Sequence, residues 1–276
     1  MPELQRKAVD ALEDGQVLFF PQLAFKLADG EVRFLTPELV SGAKNVSYNF
    51  ANRKLGHCAC AEADRLVVAE MIHRFAGQAE TLVEQLLPSY KPALTMGRTS
   101  LRPVEAAGRA SSWRKDDTRL HVDAFPSTPL NGNRILRVFS NVNPSGRPRS
   151  WRVGEHFEQV SQRYLPGVRP PYPGSLMLMQ MFRVTRGRRS LYDHYMLALH
   201  DAMKADDHYQ KTCAQSTFDF PAQSTWMVYA DSVPHAVTSG QHQFEQTFYV
   251  KAGGMAHPDK SPLRILEKQL GTSLAN

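Results

Sequence analysis

The sequence predicts an α+β protein in which a helical N-terminal part leans on an antiparallel β core. Residues 62–87 carry a long helical pattern, because apolar side chains such as Met71 and Phe75 recur at three- and four-residue steps until Pro88. From about residue 92, short apolar runs alternate with clusters of Gly, Pro, Asn and Ser. Such short strands broken by turn signals are typical of a β-sandwich or barrel.

The shorter elements follow from the same signals. Residues 2–13 predict an amphipathic helix that ends at Asp14-Gly15, and residues 16–20 predict a strand stopped by Pro21. A helical insert is expected at about 190–209. The predicted strands of the core lie within residues 93–104, 119–125, 133–144, 174–184, 224–237 and 243–250.

We interpret the chain as one domain, because no linker-like stretch separates the helical part from the β core. Residues 1–276 then divide into a helix-rich part at 1–90, a β core at 91–252 and a C-terminal tail at 253–276.

Composition indicates a soluble globular protein. Of the 276 residues, 42% are hydrophobic and 22% are charged, and no run approaches the length of about 18 apolar residues that a membrane span needs. Three cysteines do not suggest a disulfide framework, so we expect a reducing, cytoplasmic location, with peripheral binding at the inner membrane as an option. The net charge of +6 favours an acidic partner.

Two residues in the stretch HVD, His121 and Asp123, have the spacing of metal ligands. Side chains at i and i+2 of a strand point to the same face, so both can reach one ion. His235 is the best third ligand, because it lies among β-type residues between a turn at Asp231-Ser232 and a turn at Ser239-Gly240. Two histidines and one carboxylate form the facial triad of non-heme iron oxygenases.

Longer strings around these residues carry a narrower resemblance. HVDAFPSTPLNGNRILRVFSNVNP at 121–144, WRVGEHFE at 151–158 and DSVPHAVTSGQHQFEQTFYV at 231–250 together resemble the Kdo hydroxylase family. These proteins are iron(II)- and 2-oxoglutarate-dependent dioxygenases with a double-stranded β-helix core. The motifs span roughly residues 90–250.

The resemblance implies that His121, Asp123 and His235 bind Fe(II). It also implies that O2 and 2-oxoglutarate are consumed, that succinate and CO2 are released, and that ascorbate supports the activity. The expected substrate is the Kdo sugar (3-deoxy-D-manno-oct-2-ulosonic acid) of Kdo-lipid A in the lipopolysaccharide inner core. Hydroxylation at its 3-position would give the sugar Ko.

The 2-oxoglutarate anchor departs from the commoner superfamily pattern. Many relatives place a cation ten to twelve residues after the distal histidine, where this chain has Glu245, Gln246 and Thr247. Arg137 is our first candidate, because an arginine on an apolar barrel face needs an anion. Arg102 is the second, and Arg134, which we expect to be solvated, is the third.

Basic residues gather in three stretches, which we interpret as loops around the mouth of the site: Arg109, Arg114, Lys115 and Arg119; Arg147, Arg149 and Arg152; Arg183, Arg186, Arg188 and Arg189. They suit an anionic glycolipid at a membrane face. Two alternatives stay open: the same oxygenase chemistry on a protein or nucleic acid, although no nucleic acid is expected, and a metal-free β-barrel module that binds an acidic glycolipid.

Overall fold

The computed structural model describes residues 2–109 and 111–275. Its α-helices are Glu3–Glu13 (α1), Glu62–Leu86 (α2), Phe157–Tyr164 (α3), Ser175–Met181 (α4), Leu191–Ala205 (α5), Asp207–Thr212 (α6) and Pro262–Leu270 (α7). Its strands are Leu18–Phe20 (β1), Val46–Asn49 (β2), Lys54–Gly56 (β3), Leu94–Arg102 (β4), Arg134–Asn141 (β5), Arg149–Val153 (β6), Ser216–Phe220 (β7), Ser224–Tyr229 (β8), His235–Ser239 (β9) and Gln243–Val250 (β10).

Two antiparallel sheets make up the β core. The larger has the strand order β1-β8-β5-β10-β4-β2-β3, and the smaller has the order β7-β6-β9. Their inner faces meet in an aromatic cluster, in which Trp226 stacks on Phe220 at 4.1 Å between ring centroids and meets Trp151 edge-on at 5.6 Å. Two facing sheets of this kind form the predicted jelly-roll, or double-stranded β-helix, core.

The outer face of the large sheet is covered by the N-terminal helices. Helix α2 buries one stripe at three- and four-residue spacing, formed by Val68, Met71, Ile72, Phe75, Ala76, Ala79 and Val83. All of these side chains except Ala76 share one core cluster with Leu136, Val138 and Phe244 of the sheet. Burying a large apolar side chain stabilises the fold by about 1.5–3 kcal/mol, so this stripe is what holds α2 on the sheet.

Strand alternation decides which residues reach the inside of the core. On β5, Leu136 and Val138 pack toward α2, whereas Phe139 joins the cluster between the sheets and Arg137 lines the cavity beside it. Arg137 therefore points inward, as the sequence pattern predicted. Register pairing places Arg137 opposite Thr247 of β10, so that Glu245 is the diagonal neighbour on the same face.

Two local predictions were wrong. Residues 174–184, expected as a strand, contain helix α4, because a short apolar run does not distinguish a strand from a helix and its Leu and Met residues are not branched at Cβ. Residues 119–125, also expected as a strand, form only an isolated bridge between His121 and His235. The apolar pattern of residues 62–87 also contains Leu66 and Val67, which lie off the buried stripe of α2 and are exposed.

The predicted insert at 190–209 is two helices. Ser190 and Asp193 form a capping box that starts α5, and the carboxylate of Asp206 accepts the backbone N–H of Tyr209 to start α6. No helix of the described residues is both long and apolar enough to cross a membrane.

Candidate metal centre and co-substrate pocket

The structure brings together the three side chains that the sequence predicted as metal ligands. One ligand atom from each of His121, Asp123 and His235 lies within 4.8 Å of the other two. Both histidines are buried and Asp123 is half-buried. Two imidazoles and one carboxylate can bind one face of a metal ion and leave its other coordination positions open, which is the arrangement that a catalytic iron needs.

Backbone hydrogen bonds fix the three residues relative to one another. His121 and His235 exchange both backbone bonds, at 3.1 and 2.9 Å, and the N–H of Asp123 donates to the carbonyl of Ala230 at 2.7 Å. The segment of His121 thus attaches to the start of β9 and to the turn before it. One antiparallel bridge is sufficient to bring together residues more than a hundred positions apart.

The histidine tautomers follow from their hydrogen bonds. Nδ1 of His121 lies 2.7 Å from the carbonyl oxygen of Arg119, and Nδ1 of His235 lies 2.9 Å from that of Val233. Because a carbonyl can only accept, each Nδ1 carries the proton and each Nε2 keeps its lone pair for a metal. Burial, followed by the charge of His235, lowers the pKa of His121, and burial also lowers the pKa of His235. Both imidazoles are therefore neutral near neutral pH, as metal ligands must be.

Aromatic rings hold the triad in place. The indole of Trp151 stacks on the ring of His235, with centroids 5.2 Å apart and planes 20° apart. The ring of His200 on α5 meets His121 edge-on at 5.4 Å, and Nδ1 of His200 contacts the carboxylate of Asp201 at 2.9 Å. Trp151 of β6 and His200 of α5 therefore both lie beside the triad.

The two predicted 2-oxoglutarate anchors lie next to the triad and share one carboxylate. Nε of Arg137 is 2.8 Å from Oδ2 of Asp123, and Nη1 of Arg137 donates to Glu245. Nη2 of Arg102 is 2.7 Å from the other oxygen of Glu245. Burial would raise the pKa of Asp123, but Arg137, together with the neighbouring His235, His121 and His200, outweighs burial and holds that pKa at about 2. Asp123 is therefore ionised and ready to bind a cation.

Asp117 is the second acidic centre of the pocket. It binds Lys44 at 2.6 Å and Arg102 at 3.3 Å, and Arg109 lies at 3.4 Å. Burial opposes its ionisation, but the charges of Arg102 and Lys44 hold the pKa of Asp117 well below its usual range. Asp117 alone therefore neutralises only part of the positive charge that Lys44, Arg102 and Arg109 bring to the pocket.

Arg149 is a buried cation that the sequence reasoning did not single out. It was counted as a loop residue, but it begins β6, is only 3% exposed, and its Nη1 donates to the carbonyl of Gly240 at 2.6 Å. Burial, followed by the charge of Arg102, lowers the pKa of Arg149. A bound anion would relieve this repulsion. The β-type flanks of Arg149, in RSWRV, were the available sequence signal.

One cavity of about 1080 Å³ is lined by Arg102, Arg137, Arg149 and Asp117, and the triad lies on its wall as well. Within the described part of the chain, several buried donors of its wall have no acceptor, namely Nε of Arg102, Nε of Arg149 and Nε1 of Trp151. Buried donors are rarely left unpaired in native proteins. The pocket thus fits a small molecule that brings carboxylate oxygens.

Arg134, the third candidate anchor, is not in the pocket, and the expectation that it is solvated was wrong. It is 1% exposed and binds Asp231 through Nε at 2.7 Å and Ser232 through Nη2 at 2.8 Å. Its guanidinium also lies 3.9 Å from the ring centroid of Tyr229. Arg134 therefore anchors the turn that precedes His235.

The fold and the site together define a class: a jelly-roll protein with a two-histidine, one-carboxylate centre of the non-heme iron oxygenase type. The chain belongs to the 3-deoxy-D-manno-oct-2-ulosonic acid (Kdo) hydroxylase family, whose model matches residues 1–273. The resemblance in the sequence motifs is thereby confirmed.

Solved structures of the Kdo hydroxylase KdoO are similar over nearly the whole chain. The cobalt(II) complex, described as a non-heme Fe(II) α-ketoglutarate-dependent dioxygenase, shares 51% identity with a TM-score of 0.97, covering 99% of this chain and 92% of that one. The complexes with α-ketoglutarate and Fe(III) and with succinate and Fe(III) each share 50% identity over the same proportions, with a TM-score of 0.96. The predicted fold and enzyme class are those of this family. Comparison with the curated proteins found no match.

Proposed function

We propose that this protein is an Fe(II)- and 2-oxoglutarate-dependent dioxygenase that hydroxylates the Kdo sugar of Kdo-lipid A at its 3-position, giving Ko. The single observation that carries the proposal is the convergence of His121, Asp123 and His235 within 4.8 Å on the wall of a basic cavity. Membership of the Kdo hydroxylase family and the similarity to the KdoO complex with α-ketoglutarate and Fe(III) support the same chemistry.

We infer that the two Nε2 atoms and the carboxylate of Asp123 hold the iron. When bound, iron and 2-oxoglutarate supply the oxidant that inserts one oxygen atom of O2 into a C–H bond, while 2-oxoglutarate loses CO2 and becomes succinate. The residues fit this role, because each Nδ1 is committed to a carbonyl and Asp123 is ionised. Ascorbate is expected to support turnover by keeping the iron reduced.

Arg102, Arg137 and Arg149 are the proposed partners of the 2-oxoglutarate carboxylates. Each is largely buried at the cavity wall, and the unpaired Nε groups of Arg102 and Arg149 can donate to carboxylate oxygens. Glu245 binds Arg102 and Arg137 together and so holds two guanidiniums in register. This arrangement takes the place of the cation that is missing ten to twelve residues after His235.

The outer part of the cavity suits an anionic sugar. Lys44, Arg98, Arg109, Arg114 and Lys115 line it in addition to the buried arginines. A Kdo carboxylate, with the phosphates of lipid A behind it, would complement this charge. Recognition would then come from the sugar acid in the cavity and from phosphates at its rim.

The test is a product assay. Purified protein is incubated with Fe(II), ascorbate, 2-oxoglutarate and Kdo-lipid A, and the lipid is analysed by mass spectrometry together with succinate. We expect a gain of one oxygen atom on the Kdo sugar and one succinate for each oxygen gained. The exposed His208 provides a control, because His208→Ala should leave the product unchanged.

A protein that contains iron and yet leaves Kdo-lipid A unmodified would refute the substrate assignment. If another molecule, such as a nucleic acid, then stimulates the conversion of 2-oxoglutarate to succinate, that molecule is the substrate of the same hydroxylation chemistry.

A further inference from the structure

The segment between α3 and α5 exposes more apolar surface than a folded protein normally leaves in water. Helix α4 has no buried residue, and six large apolar side chains are exposed over residues 172–184: Tyr172, Met177, Leu178, Met181, Phe182 and Val184. Tyr172 is 82% exposed and Phe182 is 70% exposed. Contiguous exposed patches of this kind mark interaction sites, whereas scattered single residues do not.

The same region is basic and carries no acid. No Asp or Glu occurs between Glu158 and Asp193, whereas six arginines do: Arg163, Arg169, Arg183, Arg186, Arg188 and Arg189. Arg183, Arg186 and Arg188 are exposed immediately after α4. Apolar side chains followed by free cations form the pattern of a segment that lies at the surface of an anionic bilayer.

The segment is attached to the mouth of the catalytic cavity. The N–H of Arg186 donates to the carbonyl of Ser127 at 2.9 Å, and Nη2 of Arg189 donates to the carbonyl of Pro126. Pro126 and the preceding Phe125 line the cavity itself. The exposed apolar face therefore lies beside the opening through which a substrate enters.

We propose that residues 172–189 are a lipid-docking element that rests on an anionic membrane surface, with its exposed apolar side chains among the acyl chains and its exposed arginines on headgroup phosphates. This inference rests on the proposed function for its purpose, because a sugar carried on lipid A has to be presented at a membrane. Docking here would bring the cavity mouth to the level of the headgroups.

A second copy of the chain is the less suitable occupant. In a symmetric dimer the same patch faces itself, so the unpaired arginines of one subunit would oppose those of the other. Like charges brought together at an interface disfavour association, whereas an anionic lipid surface neutralises them.

The test measures vesicle binding by the full-length protein, without any turnover. Sedimentation compares vesicles of phosphatidylcholine alone with vesicles that also contain phosphatidylglycerol. We expect binding to the anionic vesicles only. Each of Arg183→Gln and Arg186→Gln should weaken this binding about fivefold, and the effect should vanish at high salt. The double variant Met181→Ser/Phe182→Ser should weaken it by roughly tenfold or more.

Matched controls use exposed residues of the same type elsewhere. Leu66→Ser on α2 and Phe218→Ser on β7 remove exposed apolar side chains, and Arg6→Gln on α1 removes an exposed cation. These variants should bind as the unmodified protein does. An unchanged thermal midpoint in every variant establishes that folding is not the cause of any loss.

Three results would overturn the proposal: no binding to anionic vesicles, segment variants that bind like the controls, or a dimer in solution that Met181→Ser/Phe182→Ser dissociates. Because vesicle binding needs no substrate, its outcome is separate from the product assay. Hydroxylation of Kdo-lipid A without vesicle binding would refute the docking element and leave the proposed function intact. Vesicle binding without hydroxylation would refute the proposed function and leave the docking element intact.

Discussion

Replacing Arg134 by methionine tests how the fold holds the turn that leads into His235. Arg134 and Asp231 form an ion pair whose side chains are 1% and 0% exposed, with Nε 2.7 Å from the carboxylate. The same guanidinium donates to Ser232, and the neighbouring Ala230 carbonyl accepts the N–H of Asp123. One buried cation therefore supports the turn that leads into His235 and that accepts a backbone hydrogen bond from Asp123.

The expected cost follows from the burial. Arg134→Met leaves the carboxylate of Asp231 buried and unpaired, which costs about 3–5 kcal/mol in the free energy of unfolding. With an m-value of about 3 kcal/mol per molar urea, the midpoint of denaturation should fall by roughly 1–1.7 M. Iron affinity of the folded variant should fall as well, because the turn loses its anchor.

The control is the double variant Arg134→Met/Asp231→Leu, which removes both charges. It should recover much of the lost stability, since apolar replacements of a whole buried pair are often neutral. Urea denaturation followed by fluorescence and circular dichroism measures all three proteins. If Arg134→Met lies within about 1 kcal/mol of the unmodified protein, the pair does not hold the turn and the reasoning is wrong.

Three further predictions concern the pocket. Arg149→Met should weaken 2-oxoglutarate binding roughly tenfold to hundredfold in anaerobic calorimetry, because one charge-assisted hydrogen bond is lost. Arg98→Met, at the exposed rim, is the control and should have little effect. Equal affinities of the Arg149→Met variant and the unmodified protein would remove Arg149 from the anchor. His121→Ala and His235→Ala should each abolish iron binding in metal analysis while the circular dichroism spectrum is retained, and full iron content in either variant would exclude that residue. Asp117 has a lowered folded-state pKa, so its contribution to stability is present above about pH 4 and is lost as pH falls through the folded value. Asp117→Asn should therefore lose less stability than the unmodified protein between about pH 4 and pH 2, and parallel urea midpoints across that range would contradict this.

The sequence was most informative where local pattern and chemistry coincide. The helical period of residues 62–87 and the strand alternation of β5 both reflect burial on one face, so helix α2 and the inward position of Arg137 were predictable. The pairing of HVD with His235 was predictable as well, because few histidines lay in a β context between two turns. The longer motifs then narrowed the superfamily to one family.

Other features depend on contacts that no local pattern encodes. Arg134 begins β5, on the opposite face of the strand from Arg137. Its burial in an ion pair is determined only by the turn at Asp231, which is distant in sequence. Arg149 was read as part of a loop, and the pairing of β6 with β7 and β9 is what buries it. Helix α4 was mistaken for a strand because its seven residues are too few to show a period.

A crystal structure of the protein loaded anaerobically with Fe(II) and 2-oxoglutarate tests the central claim most directly. The account predicts an anomalous iron peak bound by Nε2 of His121, Nε2 of His235 and a carboxylate oxygen of Asp123. It also predicts 2-oxoglutarate carboxylates on Arg102, Arg137 or Arg149. Iron bound elsewhere on the chain, or a triad that binds no metal when 2-oxoglutarate is present, would contradict it.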